Sequence, residues 1–319
     1  MKRLDISVVV PLYNEEESLP RLLEWIDEVL CTTALVYEVV LVDDGSSDGS
    51  WLVIGDLLEK YAFVRAVRFQ RNYGKAAALN EGFRVSSGEV VITMDADLQD
   101  SPEEIPDLYR MVMEEGYDLV SGWKKQRLDS FRKRFPSKFY NGITRAVSGI
   151  KLHDFNCGLK AYRRQVVHSI EIYGEMHRYI PLIAKQAGFK RIGEKVVRHR
   201  KREFGTPKYE RFSRGIKGVL DLISLTFMHR FGSRPMHVFG FGGSLLFMAG
   251  FLIFLWLAVA KFFLHQYGMT GRPLFYVGLL CMILGTQLFI AGFLGEMIAR
   301  TNVERNNYLI LAKRGWDEA

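Results

Sequence analysis

Two long apolar segments near the C-terminal end, residues 236–260 and 274–299, constrain this chain more than any other feature. Each exceeds the roughly 20 apolar residues that carry a helix across a bilayer. The first contains no charged residue, while the second contains Gln287 and Glu296. A buried helix pair in a soluble protein is the alternative, and segments of this length argue against it. The residues before about Gly232 are mixed and charged, as in a globular domain, so the 319-residue chain divides into a large N-terminal domain and a membrane hairpin.

Basic residues orient the hairpin. Arg211, Arg214, Lys217, Arg230 and Arg234 precede the first segment, and Arg300, Arg305, Lys313 and Arg314 follow the second, whereas the connecting loop offers Lys261 and Arg272. Positive charge flanks cytoplasmic ends, which predicts a multi-pass protein of the inner (plasma) membrane with both termini and the large domain in the cytoplasm. The apolar run after Lys2-Arg3 closes at Pro11, too short for a signal peptide. A net charge of +7 raises nucleic acid as a partner, but the cations cluster beside the apolar segments, so the expected partner is anionic lipid and no nucleic acid. Cys31, Cys157 and Cys281 have no metal-ligand spacing and imply no disulfide framework.

Within the first 100 residues, short apolar runs alternate with helix-length segments. Strands are expected at 6–11, 37–42, 63–69 and 89–94. Helices are expected from the acidic cluster Asn14-Glu15-Glu16-Glu17-Ser18 to about Leu30, over 51–61 and over 76–85. This alternation predicts a mostly parallel, doubly wound α/β sheet. Three strand ends carry polar groups: Tyr13 to Glu15, Asp43-Asp44, and Asp95-Ala96-Asp97. Ligands of such sheets bind outside the C-terminal strand ends. Asp-x-Asp at a strand exit offers hard oxygens suited to Mg²⁺ or Mn²⁺, and so to a diphosphate. No glycine occurs between Pro11 and Glu17, and the chain has no G-x-x-x-x-G-K-[ST] loop, which weighs against dinucleotide binding and nucleoside triphosphate hydrolysis.

The strings Val9-Val10-Pro11-Leu12-Tyr13-Asn14-Glu15-Glu16, Val42-Asp43-Asp44-Gly45-Ser46-Ser47-Asp48 and Asp95-Ala96-Asp97-Leu98-Gln99-Asp100 resemble family 2 glycosyltransferases of the GT-A fold. Arg71-Asn72-Tyr73-Gly74-Lys75, Asp154-Phe155-Asn156-Cys157-Gly158-Leu159-Lys160 and Arg202-Glu203-Phe204-Gly205-Thr206-Pro207-Lys208-Tyr209 extend the likeness to the polyprenyl-phosphate branch. Thr206-Pro207 departs from that branch, whose members usually carry Ser or Thr just before the Lys-Tyr. The resemblance implies inverting transfer from a UDP- or GDP-linked sugar to a polyprenyl phosphate, undecaprenyl phosphate in a bacterium. It implies nucleotide contacts at Pro11, Tyr13, Glu15, Asp43, Asp44, Lys75 and Asp95, and a metal held by Asp97 with Asp95 or Gln99. Asp154 falls where the family places a carboxylate near the acceptor, as base or positioner. His177 and Arg178 are further candidates for the sugar pocket.

A lipid phosphate needs basic residues between cleft and membrane, and Arg127, Arg134, Arg202 and Lys208 are the candidates. Residues 131–150 space apolar side chains helically among cations, as in an interfacial amphipathic helix, and 212–231 repeats the pattern. The expected organisation is a catalytic domain over 1–210, a juxtamembrane helix over 211–234, two membrane helices over 235–300 and a cytoplasmic tail over 301–319. Gly-bearing spans also predict a homo-oligomer. Two other functions fit less well. A processive polysaccharide synthase would carry Gln-x-x-Arg-Trp, which this sequence lacks, and a non-catalytic scaffold has no need of intact strand-end carboxylates.

Overall fold

The computed structural model describes residues 4–125, 141–142, 144–145, 148–174, 176–200, 236–262, 271–301 and 310–314. The chain divides into two compact units, Met1–Leu222 with Asn306–Ala319, and Ile223–Arg305. Arg127, Arg134, Arg202, Lys208, the helix expected over 211–234 and most of that over 131–150 lie outside the described residues.

The first unit is built on eight strands: β1 (Ile6–Leu12), β2 (Tyr37–Asp43), β3 (Val64–Phe69), β4 (Val90–Thr93), β5 (Leu119–Trp123), β6 (Lys160–Arg163), β7 (Ile192–Val196) and β8 (Ile310–Arg314). They form one sheet in the order β7-β5-β6-β4-β1-β2-β3-β8. The block β4-β1-β2-β3 is parallel, as is β5 with β7, while β6 runs antiparallel to both its neighbours and β8 antiparallel to β3. The chain adds β2 and β3 on one side of β1 and then places β4 on the other. The order therefore reverses between β1 and β4, which opens a crevice at their C-terminal ends.

Among the described residues eight α-helices occur: α1 (Leu19–Leu30), α2 (Ser50–Lys60), α3 (Lys75–Val85), α4 (Ile105–Met113), α5 (Arg164–Ser169), α6 (Ile180–Gln186), α7 (Phe241–Phe262) and α8 (Pro273–Thr301). Both faces of the sheet are covered by helices. Val8 and Val10 point to the layer of α1, α2 and α4, while Val9 points to that of α3, α5 and α6, as the two-residue strand period requires. Burial on both faces explains why β1 reads as a continuous apolar run. Gly82 of α3 lies against β1, where a Cβ would collide with Val9 Cγ1.

Two expectations need correction. Helix α1 starts at Leu19, with Pro20 in its first turn and no acidic residue there. The acidic cluster ahead of it is tied elsewhere: Glu16 Oε2 accepts the Gly49 N–H at 2.7 Å, and Glu15 Oε2 accepts the Ser18 hydroxyl at 2.9 Å. Within the tail expected over 301–319, residues 310–314 form β8, a strand that the sequence did not predict, which extends the sheet at the β3 edge with Phe69 opposite Ile310 and Ala66 opposite Arg314.

The second unit contains α7, preceded by a π-helical turn over Met236–Gly240, and α8. The two helices meet through glycines. A Cβ on Gly243 would lie 2.6 Å from Gly285 O, and one on Gly250 would lie 2.5 Å from Gly278 O, so the backbones touch. Residues Val238–Phe262 and Pro273–Gly295 are long and apolar enough to cross a bilayer, and 17% of the most apolar window of each is buried. A core helix of a soluble protein would be buried over most of its length, so the outward apolar faces here match hydrocarbon surroundings.

Candidate active site

The strand ends at the β1/β4 crevice converge on a cleft of about 130 Å³. Pro11, Leu12, Tyr13 and Glu15 line it from the end of β1, and Asp44 from the end of β2. Lys75 and Ala78 line it from α3, and Asp95, Ala96 and Asp97 from the exit of β4. Seven residues expected at the donor and metal sites thus share one space: Pro11, Tyr13, Glu15, Asp44, Lys75, Asp95 and Asp97. Asp43, Gln99 and Asp154 do not line it.

The first two loops brace each other. Asn14 adopts a left-handed backbone (φ 54°), which Asn tolerates, and its Oδ1 accepts the Ser47 N–H at 2.8 Å. In return the Asn14 N–H donates to Ser46 Oγ at 2.8 Å. Asp43 is fully buried behind this turn, where its Oδ1 accepts the Ser46 N–H at 2.8 Å. The Arg68 Nε is 3.2 Å from its other oxygen, an ion pair rather than an aligned hydrogen bond. Burial raises the Asp43 pKa, with Ser46 and Arg68 opposing. Asp44 turns toward the cleft and holds the segment leading into α3, accepting the Tyr73 N–H at 2.7 Å on Oδ1 and the Gly74 N–H at 2.9 Å on Oδ2. Burial outweighs these two bonds and pushes its pKa up to about 6.

Asp95 is the centre of charge. The Lys75 ammonium bonds its Oδ1, and Gly158 is packed against its carboxylate so closely that a Cβ there would sit 2.5 Å from Oδ2. Thr93 Oγ1 donates to Gly158 O at 2.8 Å and fixes that approach. Burial alone would raise the Asp95 pKa, but Lys75, Lys124 and Lys160 overcome it and lower it to about 2. Burial likewise opposes the Lys75 charge, and Asp95 with Asp100 and Asp97 turns the net shift upward. After the motif, Leu98 is buried with a left-handed backbone (φ 60°), an uncommon conformation for a γ-branched residue that turns the chain sharply past Asp97. Gln99 donates its N–H to Asp97 Oδ1 at 3.3 Å and accepts the Arg200 N–H at 2.9 Å on its carbonyl.

Behind the cleft lies a layer of charge that sequence reading missed. Asp100 is fully buried with Lys124 Nζ 2.7 Å from its Oδ1, again an ion pair without hydrogen-bond alignment. Lys160, also buried, donates to Cys157 O, and burial lowers its pKa. Burial also pushes the Cys157 thiol up to about 12, so it is a neutral packing group. Asp154 is buried, its Oδ1 accepting the Asn156 N–H at 3.1 Å. Glu194 on β7 holds the adjoining loop, with Oε1 accepting the backbone N–H of His153 at 2.7 Å and of Asp154 at 3.1 Å. Lys124 with Asp100, and Glu194 with the 153–154 loop, pair groups tens of residues apart in sequence, and no local pattern announces them. His177 is half-buried near Lys75 and Lys160, and burial first, then those cations, lowers its pKa well below the ordinary value. It is therefore neutral near pH 7.

The donor set suits a hard divalent cation. Among the described residues no group of three His, Cys, Asp or Glu side chains gathers as a metal cage. Asp95 and Asp97 supply two carboxylates to one cleft, and Mg²⁺-like ions are ordinarily held by one or two carboxylates together with substrate phosphates and water.

A mostly parallel sheet with a crevice at its switch point, lined by Asp-x-Asp, defines a doubly wound α/β domain with an acidic strand-end cleft. Residues 7–170 match the family described as glycosyl transferase family 2. The chain is 37% identical over 304 residues to the dodecaprenyl-phosphate galacturonate synthase of Rhizobium johnstonii, covering 94% of this chain and 89% of that protein. It is 37% identical over 298 residues to the undecaprenyl-phosphate 4-deoxy-4-formamido-L-arabinose transferase of Klebsiella pneumoniae, covering 92% and 88%. Among solved structures it resembles glucosyl-3-phosphoglycerate synthase from Mycobacterium tuberculosis in complex with UDP, with a TM-score of 0.54, 22% identity and coverage of 70% and 80%. The same enzyme in complex with Mn²⁺, UDP-glucose and phosphoglyceric acid gives a TM-score of 0.53 at 21% identity, covering 70% and 80%. The chain belongs to glycosyl transferase family 2, and its expected GT-A-type fold is the fold observed.

Proposed function

We propose that this protein transfers one sugar from a nucleotide-sugar donor to the phosphate of a membrane polyprenyl phosphate, with release of a nucleoside diphosphate. The observation that carries this reading is the single cleft in which Asp44, Lys75, Asp95 and Asp97 meet, on a chain that also holds two bilayer-length apolar helices. The two relatives named above, each matched over nearly its full length, are polyprenyl-phosphate sugar transferases or synthases by name.

The nucleoside end of the donor is assigned to the β1 and β2 ends, at Pro11, Tyr13, Glu15 and Asp44, with Asp43 fixing that loop from beneath. The diphosphate is assigned to Lys75 and the Asp95–Asp97 turn. A Mg²⁺ or Mn²⁺ ion held by Asp95 and Asp97 would supply Lewis-acid neutralisation of the leaving diphosphate. Manganese with UDP-glucose in a fold relative is in keeping with this. The acceptor is itself a phosphate monoester whose second pKa is about 6, so its oxygen is largely ionised near neutrality and needs little help from a base. Asp154, on a loop held by Glu194, is therefore assigned to acceptor positioning. Arg127, Arg134, Arg202 and Lys208 remain the proposed acceptor-phosphate ligands. Between UDP and GDP, the UDP-glucose seen in the fold relative favours UDP.

The membrane topology rests on parity. Because β8 follows both apolar helices yet pairs with β3, the chain on either side of the hairpin returns to one sheet. A chain that crosses a bilayer through α7 must then cross back through α8. The basic flanks favour the cytoplasm for that shared side.

The test is transfer of radiolabel from a panel of UDP- and GDP-sugars into solvent-extractable lipid by the purified full chain with undecaprenyl phosphate, with and without EDTA. Metal-dependent labelling from one donor, reduced at least about a hundredfold in Asp97→Ala, is the expected result. Labelling that survives both EDTA and Asp97→Ala would remove the cleft from the chemistry.

A further inference from the structure

Resting on that reading, we propose that Lys75 occupies Asp95 as a resident cation in the donor-free enzyme and moves to the donor diphosphate on binding, so that the divalent ion binds well only together with the nucleotide. Asp95 Oδ1 is bonded by the Lys75 ammonium, and the Gly158 backbone packs closely over the whole carboxylate. An ion shared by Asp95 and Asp97 needs lone pairs that Lys75 already engages, and the carboxylate has no room to swing away past Gly158.

Lys75 is also the one ammonium among the described residues that lines the cleft. Lys124 and Lys160 add positive potential around Asp95, but Lys124 is paired with Asp100 and Lys160 with Cys157 O, both away from the cleft wall. The Lys75 and Asp95 side chains keep 28% and 30% of their surface exposed, so an incoming ligand can reach both. A diphosphate offers the ammonium a second anion of greater charge within the same cleft. The root of Lys75 is fixed meanwhile, because Asp44 holds the N–H groups of Tyr73 and Gly74 immediately before it. The movement is thus confined to a flexible four-carbon stem.

The probes are Mn²⁺ and UDP, with free Mn²⁺ read by electron paramagnetic resonance on the detergent-solubilised full chain. In wild type, Mn²⁺ binding is expected to be weak alone and to tighten about tenfold or more with UDP, a ratio within the usual range for coupled sites. Lys75→Met and Lys75→Gln are expected to bind Mn²⁺ alone about tenfold more tightly than wild type while binding metal-free UDP more weakly. Lys75→Arg, which keeps the cation, should retain the wild-type order. Opposite movement of the two affinities is a signature that simple loss of structure does not produce. If both neutral variants bind Mn²⁺ alone no more tightly than wild type, while wild type still transfers sugar in a metal-dependent way, the resident-cation role is overturned and the function stands. If wild type binds no Mn²⁺ with or without UDP, the metal reading of the cleft falls, and this inference falls with it.

Discussion

Gly158 packs against the Asp95 carboxylate with no room for a side chain between them. Gly158→Ala would place a methyl group 2.5 Å from Asp95 Oδ2. The carboxylate is short and must turn, breaking its contact with Lys75, so transfer activity is expected to fall by about tenfold or more while the unfolding midpoint changes little, the overpacking being relieved by one side chain. An unchanged rate would mean that Asp95 does not act in its observed position. Asp44 offers a second test. Its folded pKa, about 6, lies above the ordinary 3.8, so its contribution to stability is present below pH 3.8 and lost as pH rises through 6. Relative to Asp44→Asn, wild type should lose stability between pH 4 and 7, by up to about 3 kcal/mol. Parallel thermal midpoints for the two proteins across that range would contradict it. At this scale the strand-end carboxylates were legible because an acidic residue terminating an apolar run has few structural uses. Lys124 and Glu194 were not, because their partners Asp100 and the 153–154 loop come together only once the sheet is formed. Asp43 illustrates the converse: the sequence groups it with Asp44, but adjacent residues on a strand face opposite ways, and Asp43 braces a turn instead of lining the cleft.

Among the elements, the first four strands and three helices follow the sequence periodicity closely, since apolar runs buried on both faces cannot be mistaken for surface. The start of α1 did not follow, because Pro20 can occupy a first turn and Glu16 before it binds the β2–α2 loop at Gly49. Strand β8 was also illegible: Ile310-Leu311-Ala312-Lys313-Arg314 has little alternation and reads as a charged tail. It covers the outer edge of β3, which would otherwise present unpaired backbone groups. Truncation after Asn306 is expected to speed hydrogen exchange at the β3 amides facing that edge and to promote aggregation, with exchange followed by mass spectrometry. Unchanged protection across Val64–Phe69 would show that β8 does not pair there in solution.

For the molecule as a whole, the apolar segments were the clearest signal in the sequence, and the close glycine contacts of α7 and α8 give them a structural basis as a hairpin. What sequence could not supply was the return of the chain to its first sheet after the hairpin, which supports the proposed placement of both flanks on one side of the bilayer. The central claim is that one sugar passes to one lipid phosphate at the Asp95–Asp97 turn. It is tested most directly by mass spectrometry of the lipid extract together with the amount of nucleoside diphosphate released, using the donor that labels best. The account predicts a polyprenyl phosphate carrying a single sugar, formed in equal amount to the nucleoside diphosphate and absent with Asp97→Ala. Chains of several sugars, or nucleoside diphosphate released without a glycolipid, would contradict it.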